Sequence, residues 1–188
     1  MAVAAAHILV VVAQAQRPVN PPIPVISTVA GTYISDSYSG DGGPATSASF
    51  DGPVGVAVDS AGNYYIADQG NSAVRKVTVS TGIITTVAGC CEPTGVMGYT
   101  GDGGPATKAE LSGPRGVAVD SGGDIYIADR DNCAVRKVTA ATGIISTIAG
   151  GGPTACGYAG DGGLATSAKL YYPNGVGLDP AGNLYIAD

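Results

Sequence analysis

Two stretches of this chain, residues 55–89 and 116–150, are each 35 residues long, align without a gap and agree at 25 positions. Repetition at that fidelity means one structural unit used twice. A third copy opens at Gly175-Val176-Gly177-Leu178-Asp179 and runs to Asp188. The heptapeptide Gly40-Asp41-Gly42-Gly43-Pro44-Ala45-Thr46 returns at 101–107, and again at 160–166 with Leu164 in place of proline, at spacings of 61 and 59 residues. Any fold proposed for the chain must therefore stack similar units side by side.

Within a unit the residues predict four short strands. Gly55 to Val58 ends in Asp59-Ser60-Ala61-Gly62-Asn63, where an aspartate accepts backbone donors and a glycine supplies a positive φ. Tyr64 to Ala67, Ala73 to Thr78 and Ile83 to Ala88 follow, with Ser80-Thr81-Gly82 turning the chain between the last two. The Val, Ile, Thr and Tyr content suits half-buried pleated surfaces. A four-stranded meander cannot bury both faces alone, and radial stacking of such sheets is a β-propeller. A sandwich would not demand near-identical units, and a solenoid has shorter periods. Small residues in the first strand, such as Gly55 and Ala57, suit the crowded position nearest a propeller axis.

The run Gly-Val-Ala-Val-Asp, Gly-Asn-x-Tyr-Ile-Ala-Asp, Asn-x-x-Val-Arg-Lys-Val and Gly-Ile-Ile-x-Thr-Val-Ala-Gly resembles the NHL repeat over Val25 to Asp188. That resemblance implies an all-β fold of about three four-stranded antiparallel propeller blades, incomplete or completed by other copies. It also implies that closed members of the family commonly carry six blades. The Gly-Asp-Gly-Gly-Pro-Ala insertions resemble those of bacterial extracellular proteins and teneurin-like ectodomains. The blade units fall at 55–89, 116–150 and, in part, 175–188. A lone outer strand at 25–31 matches a fourth strand, making eleven strands, too few for a closed ring.

The inserts between units, residues 32–54, 90–115 and 151–174, each carry the Gly-Asp-Gly-Gly motif. It lacks the Lys-Ser/Thr ending of a P-loop and the ligand alternation of an EF-hand. Two readings stay open: a turn anchored by aspartate, or a weak calcium site at Asp41, Asp102 and Asp161. Asp68, Asp129 and Asp188 stand at equivalent strand ends, where a carboxylate caps the following turn. Asp59, Asp120 and Asp179 also recur in every unit, as structural residues do.

Catalysis finds little support. The only histidine, His7, lies in the apolar leader, so a Ser-His-Asp triad and histidine-bound zinc are not expected beyond it. The NHL resemblance leaves a metal-dependent lyase or hydrolase as a minor alternative. A net charge of −6 without a basic stripe argues against nucleic acid as a partner. The cysteines Cys90, Cys91, Cys133 and Cys156 form no Cys-x-x-Cys. In a secreted protein a disulfide joining an insert to a blade is expected, with Cys133 taking part, against the alternative of four free thiols. No cofactor is expected beyond the calcium option. No Asn-x-Ser/Thr sequon occurs, leaving O-linked sugars as the open glycan route.

Residues 1–15 read as a signal peptide: Ala2 to Val12 is apolar apart from His7, and Ala13-Gln14-Ala15 is a small-x-small cleavage pattern. The run carries no Lys or Arg before it and is too short to span a bilayer, and the alternative is a packed hydrophobic segment. Residues 16–24, with four prolines between Arg17 and Pro24, read as an extended linker. The expectation is a non-enzymatic extracellular scaffold that binds other proteins or copies of itself through open blade edges, as an oligomer or a filament. The alternative is a ligand- or protein-binding fragment of a longer secreted propeller.

Overall fold

The computed structural model describes residues 26–32, 37–89 and 97–188. The expected leader at 1–15, the linker at 16–24, Val25, Cys90 and Cys91 lie outside the described residues. The described chain forms ten strands: β1 (Pro53–Val58), β2 (Tyr64–Asp68), β3 (Ala73–Thr78), β4 (Ile83–Ala88), β5 (Pro114–Val119), β6 (Ile125–Asp129), β7 (Ala134–Thr139), β8 (Ile144–Ala149), β9 (Gly175–Leu178) and β10 (Leu184–Ala187). They make two four-stranded antiparallel meanders, β1-β2-β3-β4 and β5-β6-β7-β8, and a two-stranded sheet, β9-β10. The only helical elements among the described residues are five three-residue 3-10 turns, four of them in the inserts. The all-β propeller-blade architecture is thus as the repeats predicted, and the three sheets do not close into a ring.

β1 and β5 are two residues longer at the start than the repeat pattern indicated, because a bulge between Pro53 and Val56, and again between Pro114 and Val117, carries the ladder past the irregularity. Residues 26–31 form no strand; Thr28 makes a single bridge, and no third strand lies beside the segment among the described residues to complete a ladder. Its end nevertheless sits where a fourth strand ends. Gly31 N–H donates to Ala45 O at 2.9 Å, just as Gly89 donates to Ala106 O and Gly150 to Ala165 O, both at 3.0 Å.

The sheets stack through their innermost strands, β1 on β5 and β5 on β9. The approach is backbone on backbone. A Cβ on Gly55 would lie 2.2 Å from the carbonyl oxygen of Arg115, and one on Gly116 would lie 2.7 Å from Gly175 Cα. Register then divides each sheet into two faces. In the first unit Val56 faces Ile66 and Arg75, and Val58 faces Tyr64 and Val77, while Ala57 and Tyr65 point the other way. The second face, with Tyr65, Ala67, Val74 and Ala88, packs on the first face of unit two, with Val117, Ile125, Ile127 and Ile145. Apolar burial between adjacent blades is what holds the stack.

Candidate functional site

The turn aspartates have a local role. Asp59 Oδ1 accepts the N–H groups of Ala61 and Asn63 at 2.9 Å, and its Oδ2 accepts from Asn63 Nδ2 and the Tyr65 hydroxyl. Asp120 and Asp179 repeat the backbone contacts and the tyrosine contact. These are Asx turns that fix the β1-β2, β5-β6 and β9-β10 connections.

The second aspartate set does more than the sequence suggested. Each complete unit buries an arginine on the face of its third strand, Arg75 in β3 and Arg136 in β7. Arg75 Nε and Nη2 donate to Asp41 Oδ1 at 3.1 and 2.8 Å. Nη2 also reaches Ser39 O, and Nη1 reaches Ser49 O and Asp68 Oδ2. The guanidinium lies 4.5 Å from the Tyr38 ring centre, and the Tyr38 hydroxyl meets Thr86 Oγ1 at 2.7 Å. Unit two reproduces the arrangement with Arg136, Asp102, Asp129, Thr100, Glu110, Tyr99 and Thr147. A planar guanidinium with five donors suits such a convergent set of oxygens.

The Gly-Asp-Gly-Gly motif is therefore a clip. Asp41 binds the arginine through Oδ1 and the Thr86 N–H through Oδ2 at 2.9 Å. Gly42 N–H and Ala45 N–H donate to Ile84 O and Gly82 O, and Gly43 O accepts from Ile84 N–H, so the insert pairs along the outer edge of β4. Positive φ at Gly40 and Gly42 carries the chain through this path. Asp102 does the same in unit two, through Arg136 and the Thr147 N–H. Two of the three calcium candidates, Asp41 and Asp102, thus direct their carboxylates at arginine and amide donors. Asp161 is exposed and accepts from the Tyr158 hydroxyl at 3.0 Å. Among the described residues no group of three or more His, Cys, Asp or Glu is arranged to hold a metal ion.

Asp68 and Asp129 stand at strand ends where the sequence pattern predicts a turn cap. They do accept from Asn71 and Asn132 three residues on, but they also accept the N–H groups of Asp51 and Ser112 and the buried arginines, which ties insert to blade. Asp188 Oδ1 accepts the N–H of Tyr171, the equivalent insert contact in unit three. Burial pushes the carboxyls of Asp68 and Asp129 up to about 6, against hydrogen bonds and the arginine that pull them down. One cation serves two carboxylates in each cluster, and the more exposed Asp41 and Asp102 hold the shorter contacts.

A pH dependence follows from those directions. Between about pH 6 and the ordinary carboxyl value of 3.8, folded Asp68 and Asp129 keep a proton that the unfolded chain has lost. Their contribution to stability is therefore larger at pH 4–5 than at pH 7 and declines as the pH rises through 6. Against the opposing effect of burial, Asp59, Asp102 and Asp124 are shifted down by hydrogen bonds, helped by Arg136 at Asp102 and Lys137 at Asp124, and their stabilisation is lost as the pH falls below the ordinary carboxyl range. The urea midpoint is expected to hold or rise from pH 7 to 5 and fall below 4. A steady fall from pH 7 to 5 would contradict this, and Asp129→Asn should flatten the upper limb.

Cys133 and Cys156 form a disulfide with a Cα–Cα distance of 5.3 Å, joining the start of β7 to the insert before β9. Cys133 sits at φ 50°, as does its unit-one counterpart Ser72.

The two ends of the stack expose the surfaces that are buried within it. Val56 and Val58 are 49% and 56% exposed, whereas Val117, the counterpart of Val56, is 7% exposed against unit one. At the other end Tyr185 is 60% exposed, whereas its counterpart Tyr65 is 3% exposed against unit two. Tyr185 also lines a shallow open depression of about 330 Å³ with Gly177 and Ala187. No helix among the described residues is long and apolar enough to cross a membrane.

The family model described as Teneurin NHL domain matches residues 25–97 and 89–156. Teneurin-1 of Mus musculus is 27% identical over 85% of this chain, which covers 9% of that relative's length. Among solved structures, a Bacteroides thetaiotaomicron protein of unknown function superposes with a TM-score of 0.67 at 22% identity, over 90% of this chain and 38% of its own. An auxiliary nutrient binding protein of the same organism gives a TM-score of 0.55 at 24% identity, over 71% of this chain and 34% of its own. Both show the fold.

The sequence reading missed the buried arginines. The available signal was Arg75 standing on the same alternating face as Val77, in a position repeated by Arg136, each 34 residues after a Gly-Asp-Gly-Gly aspartate.

Proposed function

This chain belongs to the teneurin NHL domain family, and from that premise we propose that it acts as a non-enzymatic, extracellular interaction scaffold that assembles with itself through its open blade faces. The observation that carries the reading is the contrast within the chain. The Val56 surface and the Tyr185 surface are exposed at opposite ends, while the same two kinds of surface bury each other between units one and two. An apolar blade face left in water favours a partner of complementary shape. A second copy offers one, because its unit-three face can meet the unit-one face of the first in the geometry the stack already uses. Such a contact is heterologous, so it closes a ring or propagates as a filament according to its rotation.

The family relationship supports a binding role, and the auxiliary nutrient binding protein of similar fold is consistent with one. The disulfide supports an oxidising compartment, hence the extracellular placement. Light scattering on the 188-residue chain tests assembly. Concentration-dependent oligomers are expected, and Val56→Asp with Val58→Lys should return them to monomers. A wild-type chain that stays monomeric at high micromolar concentration would rule the self-assembly out.

A further inference from the structure

Residues that recur in every unit hold the repeat together, and residues that break the repetition mark where one unit does something its sisters do not. Several such breaks meet at one end of the seam between units two and three. Arg115 in β5 stands where unit one has Val54, and Arg130, just after β6, stands where it has Gln69. Asp131 replaces Gly70, and Tyr172, just before β9, stands where both complete units have a glycine, Gly52 and Gly113. The backbone has not changed with the residue: φ is 52° at Gly52, 57° at Gly113 and 57° at Tyr172. A bulky side chain at positive φ is strained, and such strain collects at functional sites.

These residues are linked by direct contacts. The Arg130 guanidinium lies 4.9 Å from the Tyr172 ring centre, and the Tyr171 ring stands edge-on to Tyr172 at 4.7 Å. Arg115 Nη1 donates to Asn174 Oδ1, and Asn174 Nδ2 donates to Tyr172 O at 2.9 Å. Arg130 pairs with Asp131, and 31% and 39% of the two side chains are exposed. Arg115 forms no ion pair among the described residues. Three buried side-chain polar atoms among the described residues have no hydrogen-bond partner, and two of them are Arg115 Nε and Arg130 Nε. A buried donor without an acceptor is costly, so each guanidinium gains by turning onto an acceptor offered from outside.

We propose that this end of the seam binds a carboxylated sugar. Its carboxylate would accept from Arg115 and Arg130, since a planar guanidinium matches a planar carboxylate. The C–H face of a pyranose packs on an aromatic ring such as Tyr172, and Asn174 and Asp131 supply partners for its hydroxyls. An acidic peptide fits less well. A chain of net charge −6 with Asp131 beside the cations repels a run of carboxylates, whereas such a sugar brings one carboxylate among hydroxyls. The site lies on the seam between two units and not on the Val56 or Tyr185 face, so the proposal stands independently of self-assembly.

Isothermal titration calorimetry of the 188-residue chain tests it, with sialyllactose and an aldobiouronic acid as probes, each carrying one carboxylate. Saturable one-to-one binding of at least one probe is expected, and lactose, the neutral counterpart, should not bind. Arg115→Val and Arg130→Gln install the unit-one residues and so keep a backbone the repeat already uses. Each should weaken binding by about tenfold or more, the loss of a charge-assisted hydrogen bond. Tyr172→Gly should also weaken binding while holding or raising the melting temperature, because it relieves the positive φ; a purely structural tyrosine would lower it. The chain carrying Val56→Asp and Val58→Lys should bind as the parent does. No saturable binding of either acidic sugar, equal binding of lactose, tighter binding of triglutamate, or binding indifferent to both Arg115→Val and Arg130→Gln overturns the proposal.

Discussion

Replacing Arg136 with alanine is expected to lower folding stability by about 3–5 kcal/mol, a large part of what a domain of this size possesses. Arg136 is fully buried, and its removal leaves Asp129 in the interior with its cation gone and the carbonyls of Thr100 and Glu110 without their donor. Asp102 loses the contact that holds the insert motif against β8, and with it the clip on the sheet's outer edge. Arg136→Lys should recover only part of the loss, because an ammonium cannot reach Asp102, Asp129 and both carbonyls from one plane. Arg136→Met should be less harmful in an Asp129→Asn background than alone, since the uncompensated charge is then absent. Denaturant unfolding of the three Arg136 variants, Asp129→Asn and the Asp129→Asn/Arg136→Met double variant measures this. A loss below about 1 kcal/mol for Arg136→Ala would show that the cluster is not a stability determinant.

Removing the Cys133–Cys156 bond is expected to cost about 3 kcal/mol, the loop-closure value for a crosslink over 23 residues. Cys133→Ser is the informative variant, because Ser72 occupies the same φ 50° position in unit one without a bond. The substitution thus removes the crosslink and leaves the backbone conformation one that the repeat already uses. The loss should concentrate in unit three, whose two strands and insert have less core than the complete units. Hydrogen exchange should rise first in residues 151–188, with β5 to β8 less affected. A variant with unchanged melting temperature and unchanged exchange in that segment would show that the disulfide adds nothing to the docking of unit three.

The strands, their turns and their repetition were legible from the chain alone. Ala73–Thr78 and Ile83–Ala88 have the boundaries the pattern predicted, because alternation of side chains and the position of Asp, Gly and Asn in a turn are properties of neighbouring residues. The participation of Cys133 was legible too, since a cysteine at a position held by serine in the sister unit stands out. Its partner, Cys156, was decided by the path of the insert.

What the tertiary structure decided lies between residues far apart in sequence. Asp41 and Arg75 stand 34 residues apart and act as one cluster, an interaction that no local window contains. Taken alone, the glycine motif reads as a turn or a cation loop. Its use as an edge clip depends on β4 ending beside it, which only the folded sheet arranges. Val56 and Val117 are identical residues at equivalent positions, yet one is exposed and the other buried. The difference arises from what stands beside each blade. Burial is a property of the neighbouring surface, and short-range pattern carries no record of that surface.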